Sequence, residues 1–105
     1  MTPDRQAAYR DRLLALRAGL AEADALGRDA QAVVELDQQS VGRLARMDAL
    51  QMQAMAQATG RRRGDLARRI DAALARIEDG SYGECLDCGE DIPAGRLDLD
   101  PTLPL

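Results

Sequence analysis

The sequence contains no histidine, lysine, phenylalanine or tryptophan, and its only aromatic residues are Tyr9 and Tyr82. Without histidine or lysine it cannot form a Ser-His-Asp triad, an imidazole metal ligand, a Schiff base or a P-loop. Most enzyme classes are thereby excluded, and the chain reads as non-enzymatic. Aromatic side chains contribute the largest areas to a globular core. Two of them against 19 alanines in 105 residues predict thin helix-on-helix packing. There is no run of 18 apolar residues and no apolar segment behind the first residues, so neither a membrane span nor a secretory signal is expected, and the compartment reads as cytoplasmic. The only cysteines, Cys85 and Cys88, suit a metal or redox pair better than a disulfide framework.

Proline is missing from the whole tract between Pro3 and Gly80, whereas Pro93, Pro101 and Pro104 fall near the end of the chain. The proline-free tract is helix territory. Thr2 can cap its start, Pro3 suits the first helical position and Asp4 faces the positive end of the dipole. Apolar and small residues then step by four and three through Tyr9, Leu13, Leu16, Leu20, Ala23, Gly27, Ala30 and Val34, a heptad seam. A second seam runs through Met52, Ala56, Thr59, Arg63, Leu66, Ile70, Ala73 and Ile77 and stops at Asp79-Gly80. Folding back lets each seam bury the other.

The predicted fold class is therefore all-α: a long antiparallel helical hairpin, or coiled coil, over residues 1–79, with a small C-terminal zinc-finger-like module over residues 80–105. The turn is expected at residues 37–43, where Ser40 and Gly42 are turn and cap residues, with a tip near residues 37–48. Each arm would reach about 50 Å at 1.5 Å per residue. Met47, Met52 and Met55 are expected in the hairpin core near that tip.

The last 26 residues hold six acids and a single arginine, whereas Arg61, Arg62, Arg63, Arg68 and Arg69 crowd the second arm. A net charge of −4 and the lack of stacking aromatics disfavour direct DNA binding. A solvated face or a protein contact is the expected use of the arginines. Cys85-x-x-Cys88-Gly89 lets two thiolates face one ion, but as a zinc site it is only half complete, since structural zinc takes four ligands.

The pattern Gly80-x-Tyr82-Gly83-x-Cys85-x-x-Cys88-Gly89-x-x-Ile92, followed by Arg96-Leu97 and Pro101-Thr102 behind a charged helical hairpin, resembles the DksA/TraR family of C4-type zinc-finger transcription regulators. In that family a second Cys-x-x-Cys follows, which this chain lacks through Leu105. The resemblance implies a regulator that inserts its coiled coil into the secondary channel of bacterial RNA polymerase, without binding DNA, in some members together with guanosine tetraphosphate. It implies zinc as the metal, with Cys85 and Cys88 as ligands. The family's tip pattern, acid-x-x-acid-x-Ala, is not present; the nearest groups are Asp37, Asp48 and Ala49, with Arg43 and Arg46 beside them. These five are the candidate polymerase-binding tip. Arg62 and Arg69, seven apart and so on one helix face, are the candidate polymerase or nucleotide contacts. A monomer is expected on this reading. The alternative is a structural coiled-coil dimer or adaptor with a metal-binding clip, which light scattering would separate from it.

Overall fold

Thr2 opens the first helix as the sequence requires. Its hydroxyl accepts the Arg5 N–H at 3.3 Å and its carbonyl the Gln6 N–H at 3.1 Å, leaving Pro3 where no N–H is missed. In the computed structural model, helix α1 spans Pro3–Gln38 and α2 spans Arg43–Asp79. The structure describes the backbone of residues 1–38 and 43–105 and the side chains of residues 1–29 and 45–105. The expected turn lies largely outside the described residues. Helix α2 ends where Gly80 takes φ +86°, and the Ser81 and Tyr82 N–H groups both return to the Arg76 carbonyl, at 3.0 and 3.1 Å. The Asp79 carboxylate accepts the Ser81 N–H and hydroxyl at 2.9 and 2.6 Å, and these bonds, the hydroxyl's first, hold its pKa below the usual range.

The chain divides into a terminal unit, Met1–Ala18 with Leu66–Leu105, and a middle unit, Gly19–Asp65. In both, α1 and α2 pair antiparallel. The Gln6 side chain donates to the Ile77 carbonyl and Arg17 meets Asp71 in the terminal unit, while Arg63 meets Asp24 in the middle one. The hairpin and the all-α class predicted from the seams are what the structure has.

Among the described residues, every buried side chain belongs to the terminal unit; Tyr9, Leu13, Ile70, Ala73, Tyr82, Ile92, Leu97 and Thr102, each at most 6% exposed, are joined by Pro101. A short helix not expected from the sequence, α3 (Ala94–Leu99), supplies Leu97 to this core. It starts directly at Pro93, whose fixed φ begins a helix without a side-chain cap. The Tyr9 and Tyr82 rings lie 5.9 Å apart at 55°, a tilted pair that concentrates the chain's aromatic area at one place.

The middle unit is thinner, and its seam differs from the predicted one. Gln53 and Gly60 are half-buried where Met52 and Thr59 were expected. Met47, Met52 and Met55, expected in the core, are 59, 60 and 65% exposed. The small residues Ala49, Ala56 and Gly60 face inward instead, and Arg63 lies across Gly27 to reach the Asp24 carboxylate at 2.7 Å. With so little side-chain volume between the arms, the longer methionines have no room inside.

Gly27 fits this close approach: a Cβ there would stand 2.6 Å from the Arg63 guanidinium, whereas one at Gly19 would meet nothing within 4 Å. Gly19→Ala should therefore stabilise by the roughly 0.5–1 kcal/mol that alanine gains over glycine in a helix. Gly27→Ala should gain less, because Arg63 must leave Asp24. Paired urea melts check the difference, and equal gains would mean that the Arg63 contact contributes nothing.

Candidate functional site

The cysteine turn is built from the backbone outward. Gly83 and Gly89 adopt φ +88° and +75°, which reverses the chain on either side of the Cys-x-x-Cys sequence. An isolated antiparallel bridge pairs Glu84 with Asp91. Around it the Cys85 N–H donates to the Glu90 carbonyl and the Ile92 N–H to the Gly83 carbonyl, both at 2.7 Å, and the Gly89 N–H donates to the Cys85 carbonyl at 2.9 Å. Cys85 is half-buried, Cys88 is exposed, and both are free thiols. Hydrogen bonding from the backbone N–H of Cys88, then of Asp87, then from the Cys88 side chain lowers the Cys85 pKa below that of an ordinary cysteine, against desolvation and the Asp87 charge.

Zinc would find here the two thiolates counted in the sequence. Among the described residues no group of three or more His, Cys, Asp or Glu side chains could hold a metal. Glu84, Asp87, Glu90 and Asp91 are all exposed, and none forms a group of that kind with the cysteines. The residues present do not fit a complete tetrahedral zinc site.

What holds the C-terminal segment is a hydrogen-bonded network that spacing in the sequence does not reveal. The buried Tyr82 hydroxyl donates to the Pro101 carbonyl at 2.8 Å, and burial, ahead of the neighbouring Tyr9, pushes its pKa up to about 12. Tyr9 donates to Asp98 at 2.5 Å, a bond that raises its own pKa. The Arg12 guanidinium donates to the Asp98 carbonyl, the Arg76 guanidinium to the Thr102 carbonyl, and the Leu86 N–H to the Pro104 carbonyl at 2.9 Å. Leu99 is 87% exposed; Ile92 and Leu97 anchor this segment without it.

The Asp100 carboxylate accepts the Thr102 hydroxyl at 2.6 Å and its N–H at 3.0 Å. Burial works to raise its pKa, but these bonds, with Arg69 and Arg12 nearby, leave it lowered. A lowered carboxylate pKa stabilises the fold above the unfolded value, and that stability is lost as pH falls through the folded value. Asp100→Asn should therefore be less stable than the parent near neutral pH, and the gap should narrow as pH falls through the carboxylate range. A gap independent of pH in denaturant melts would assign Asp100 a purely packing role.

Arg46 and Asp48 are exposed and Ala49 is half-buried. The side chains of Asp37 and Arg43 lie outside the described residues. Arg62 and Arg69 are both exposed, Arg62 in the middle unit and Arg69 in the terminal unit, where it faces Asp100. No described helix is long and apolar enough to cross a membrane.

The chain is thus a helical hairpin whose second arm runs into a glycine-bounded Cys-x-x-Cys turn, followed by a short helix and a Pro-Thr tail. No family model matches the chain. It is 51% identical over 41 residues, 39% of its length, to the RNA polymerase-binding transcription factor DksA of Caulobacter vibrioides. It is 60% identical over 30 residues, 29% of its length, to an uncharacterized protein of Aquifex aeolicus. These matches span only 29% and 21% of the two relatives. The fold of transcription factor DksA2 from Pseudomonas aeruginosa matches all of this chain and 79% of that one, with a TM-score of 0.89 and 28% identity. The chain is similar to DksA proteins in sequence over part of its length and in fold over all of it.

Proposed function

We propose that this protein is a transcription regulator that binds bacterial RNA polymerase through its secondary channel, using the coiled-coil tip of the hairpin. The observation that carries the reading is the likeness to DksA2 over the whole chain at a TM-score of 0.89. The name of the Caulobacter relative supports the polymerase as partner. Residues 1–79 act as the probing hairpin and residues 80–105 as the small module at its other end. Asp37, Arg43, Arg46, Asp48 and Ala49 form the polymerase-binding tip. Arg62 and Arg69, exposed on α2, contact the polymerase or guanosine tetraphosphate. The protein works as a monomer in the bacterial cytoplasm and does not bind DNA itself.

A pull-down with the cognate RNA polymerase tests the reading. The full chain should retain the polymerase, and a variant whose tip residues are replaced by serine should not. Retention by both, or by neither, would sink the secondary-channel reading. Asp48 gives a finer test, because it is exposed and its replacement should cost no more than about 0.5 kcal/mol. Asp48→Asn should keep the parent's helicity and weaken its effect in a transcription assay. Regulation equal to the parent's would make Asp48 an ordinary surface residue.

A further inference from the structure

Three methionines expected in the core of the second arm stand in solvent instead. Met47, Met52 and Met55 are 59, 60 and 65% exposed on α2. The inward positions beside them belong to Ala49, Gln53, Ala56 and Gly60, so the packing of the middle unit uses none of the three. Helix α2 contains no cysteine, histidine, tryptophan or tyrosine, which leaves the thioether sulfurs as the groups on this arm that a peroxide oxidises. Met52 and Met55 are three apart and share one helix face. Met47 is the neighbour of Asp48 and Ala49 in the proposed polymerase-binding tip.

We propose that Met47, Met52 and Met55 are a reversible oxidation site for peroxides, at which sulfoxide formation leaves the hairpin folded and weakens polymerase binding. The effect on binding rests on the function proposed above; the chemistry does not. At each residue the thioether sulfur attacks one peroxide oxygen, the O–O bond breaks and an S–O bond forms. Sulfur is oxidised to the sulfoxide, the other oxygen is reduced, and with the proton left on the transferred oxygen it departs as water. A methionine sulfoxide reductase reverses the step, two thiols becoming a disulfide as the oxygen leaves as water. Because the three side chains fill no part of the core, the new S–O dipole is solvated where it forms. What changes is the arm's surface, from adaptable apolar to polar.

The test treats the full-length chain with hydrogen peroxide, removes the peroxide, and reduces the cysteines with dithiothreitol, which leaves sulfoxides in place. Trypsin, cutting after Arg46 and Arg61, then releases residues 47–61, a fragment that holds Met47, Met52 and Met55 but neither Met1 nor a cysteine. One added oxygen per methionine is expected there, gained by the folded protein as fast as by the free fragment, with helicity unchanged by circular dichroism. Retention of the cognate polymerase in a pull-down should be lost on oxidation and regained after treatment with the reductase and a dithiol. A variant carrying Met47→Leu, Met52→Leu and Met55→Leu, swaps that nearly conserve volume, should show no loss on the same treatment. It keeps Met1 and both cysteines, so a loss in this variant would overturn the assignment to the arm. Oxidation much slower in the folded protein than in the fragment, or accompanied by lost helicity, would overturn the site. Full oxidation with retention intact would overturn the effect on binding. Untreated protein that fails to retain polymerase would overturn the functional reading instead, and the fragment and helicity measurements would still decide the site.

Discussion

Replacing Leu97 with alanine should lower the unfolding free energy by about 3 kcal/mol, within the 2–5 kcal/mol range for truncating a buried leucine. Leu97 is wholly buried although it sits on a helix of only six residues, Ala94–Leu99, near the end of the chain. The same unit buries Tyr9 and Leu13 on α1 and Ile70 and Ala73 on α2, and Leu97 lines one cavity together with Tyr9 and Tyr82. The C-terminal segment is thus part of the hairpin's core, and losing Leu97 should move the whole terminal unit's melting transition. Leu99 is the control, two residues on, 87% exposed, and Leu99→Ala should stay within about 0.5 kcal/mol of the parent. Thermal or urea melts of the two variants decide it. Similar small losses in both would mean that the tail is peripheral and folds separately from the helices.

That core also shows what the sequence made legible. Period and punctuation carried the hairpin: the missing prolines, the Thr2 cap and the Gly80 stop are local signals, and each does in the structure what its chemistry requires. Tyr9, Leu13, Ile70 and Ala73 were legible as seam residues for the same reason. Phase was harder to read on the middle of α2. Alanine, glycine and glutamine alternate there with methionine, and hydrophobicity alone places methionine inside. Close approach of the arms favours the smaller residues, and that depends on Gly27 lying opposite Arg63, a pairing across 36 positions that no local pattern contains.

The cysteine pair was legible as chemistry but not as architecture. A Cys-x-x-Cys-Gly sequence suggests a metal-organised turn, and the two cysteines read as only half of a zinc site. Backbone bonds to Glu90, Gly83 and Pro104 brace the turn, and Tyr82, Arg12 and Arg76 the segment behind it. Arginines distant in sequence donate to carbonyls here, and carbonyl acceptors leave no trace in residue type. The same limit hid α3, too short for periodicity and without a capping side chain.

Gly83→Ala should cost more than the same change at Gly80 or Gly89, although all three glycines have positive φ. An L-residue pays about 1–2 kcal/mol for the left-handed conformation, and this term alone is expected at Gly80 and Gly89, where an added Cβ meets nothing within 4 Å. At Gly83 the Cβ would stand 2.8 Å from the Met1 methyl and 3.9 Å from Leu97 Cδ1, in a buried position. The Gly83 carbonyl also accepts the Ile92 N–H at 2.7 Å, so the backbone cannot rotate to relieve the strain without breaking the bond that closes the cysteine loop. Met1 is the flexible neighbour, 55% exposed overall, and can swing away at the expense of covering this part of the core. The expected order of stability loss is therefore Gly83→Ala at about 2–3 kcal/mol, then the other two at about 1–2 kcal/mol. Combining Gly83→Ala with Met1→Gly, both expressed behind a cleavable leader, should recover the steric part and leave the conformational part. Equal losses at all three positions would show that the Met1 contact is incidental and that backbone conformation alone governs the turn.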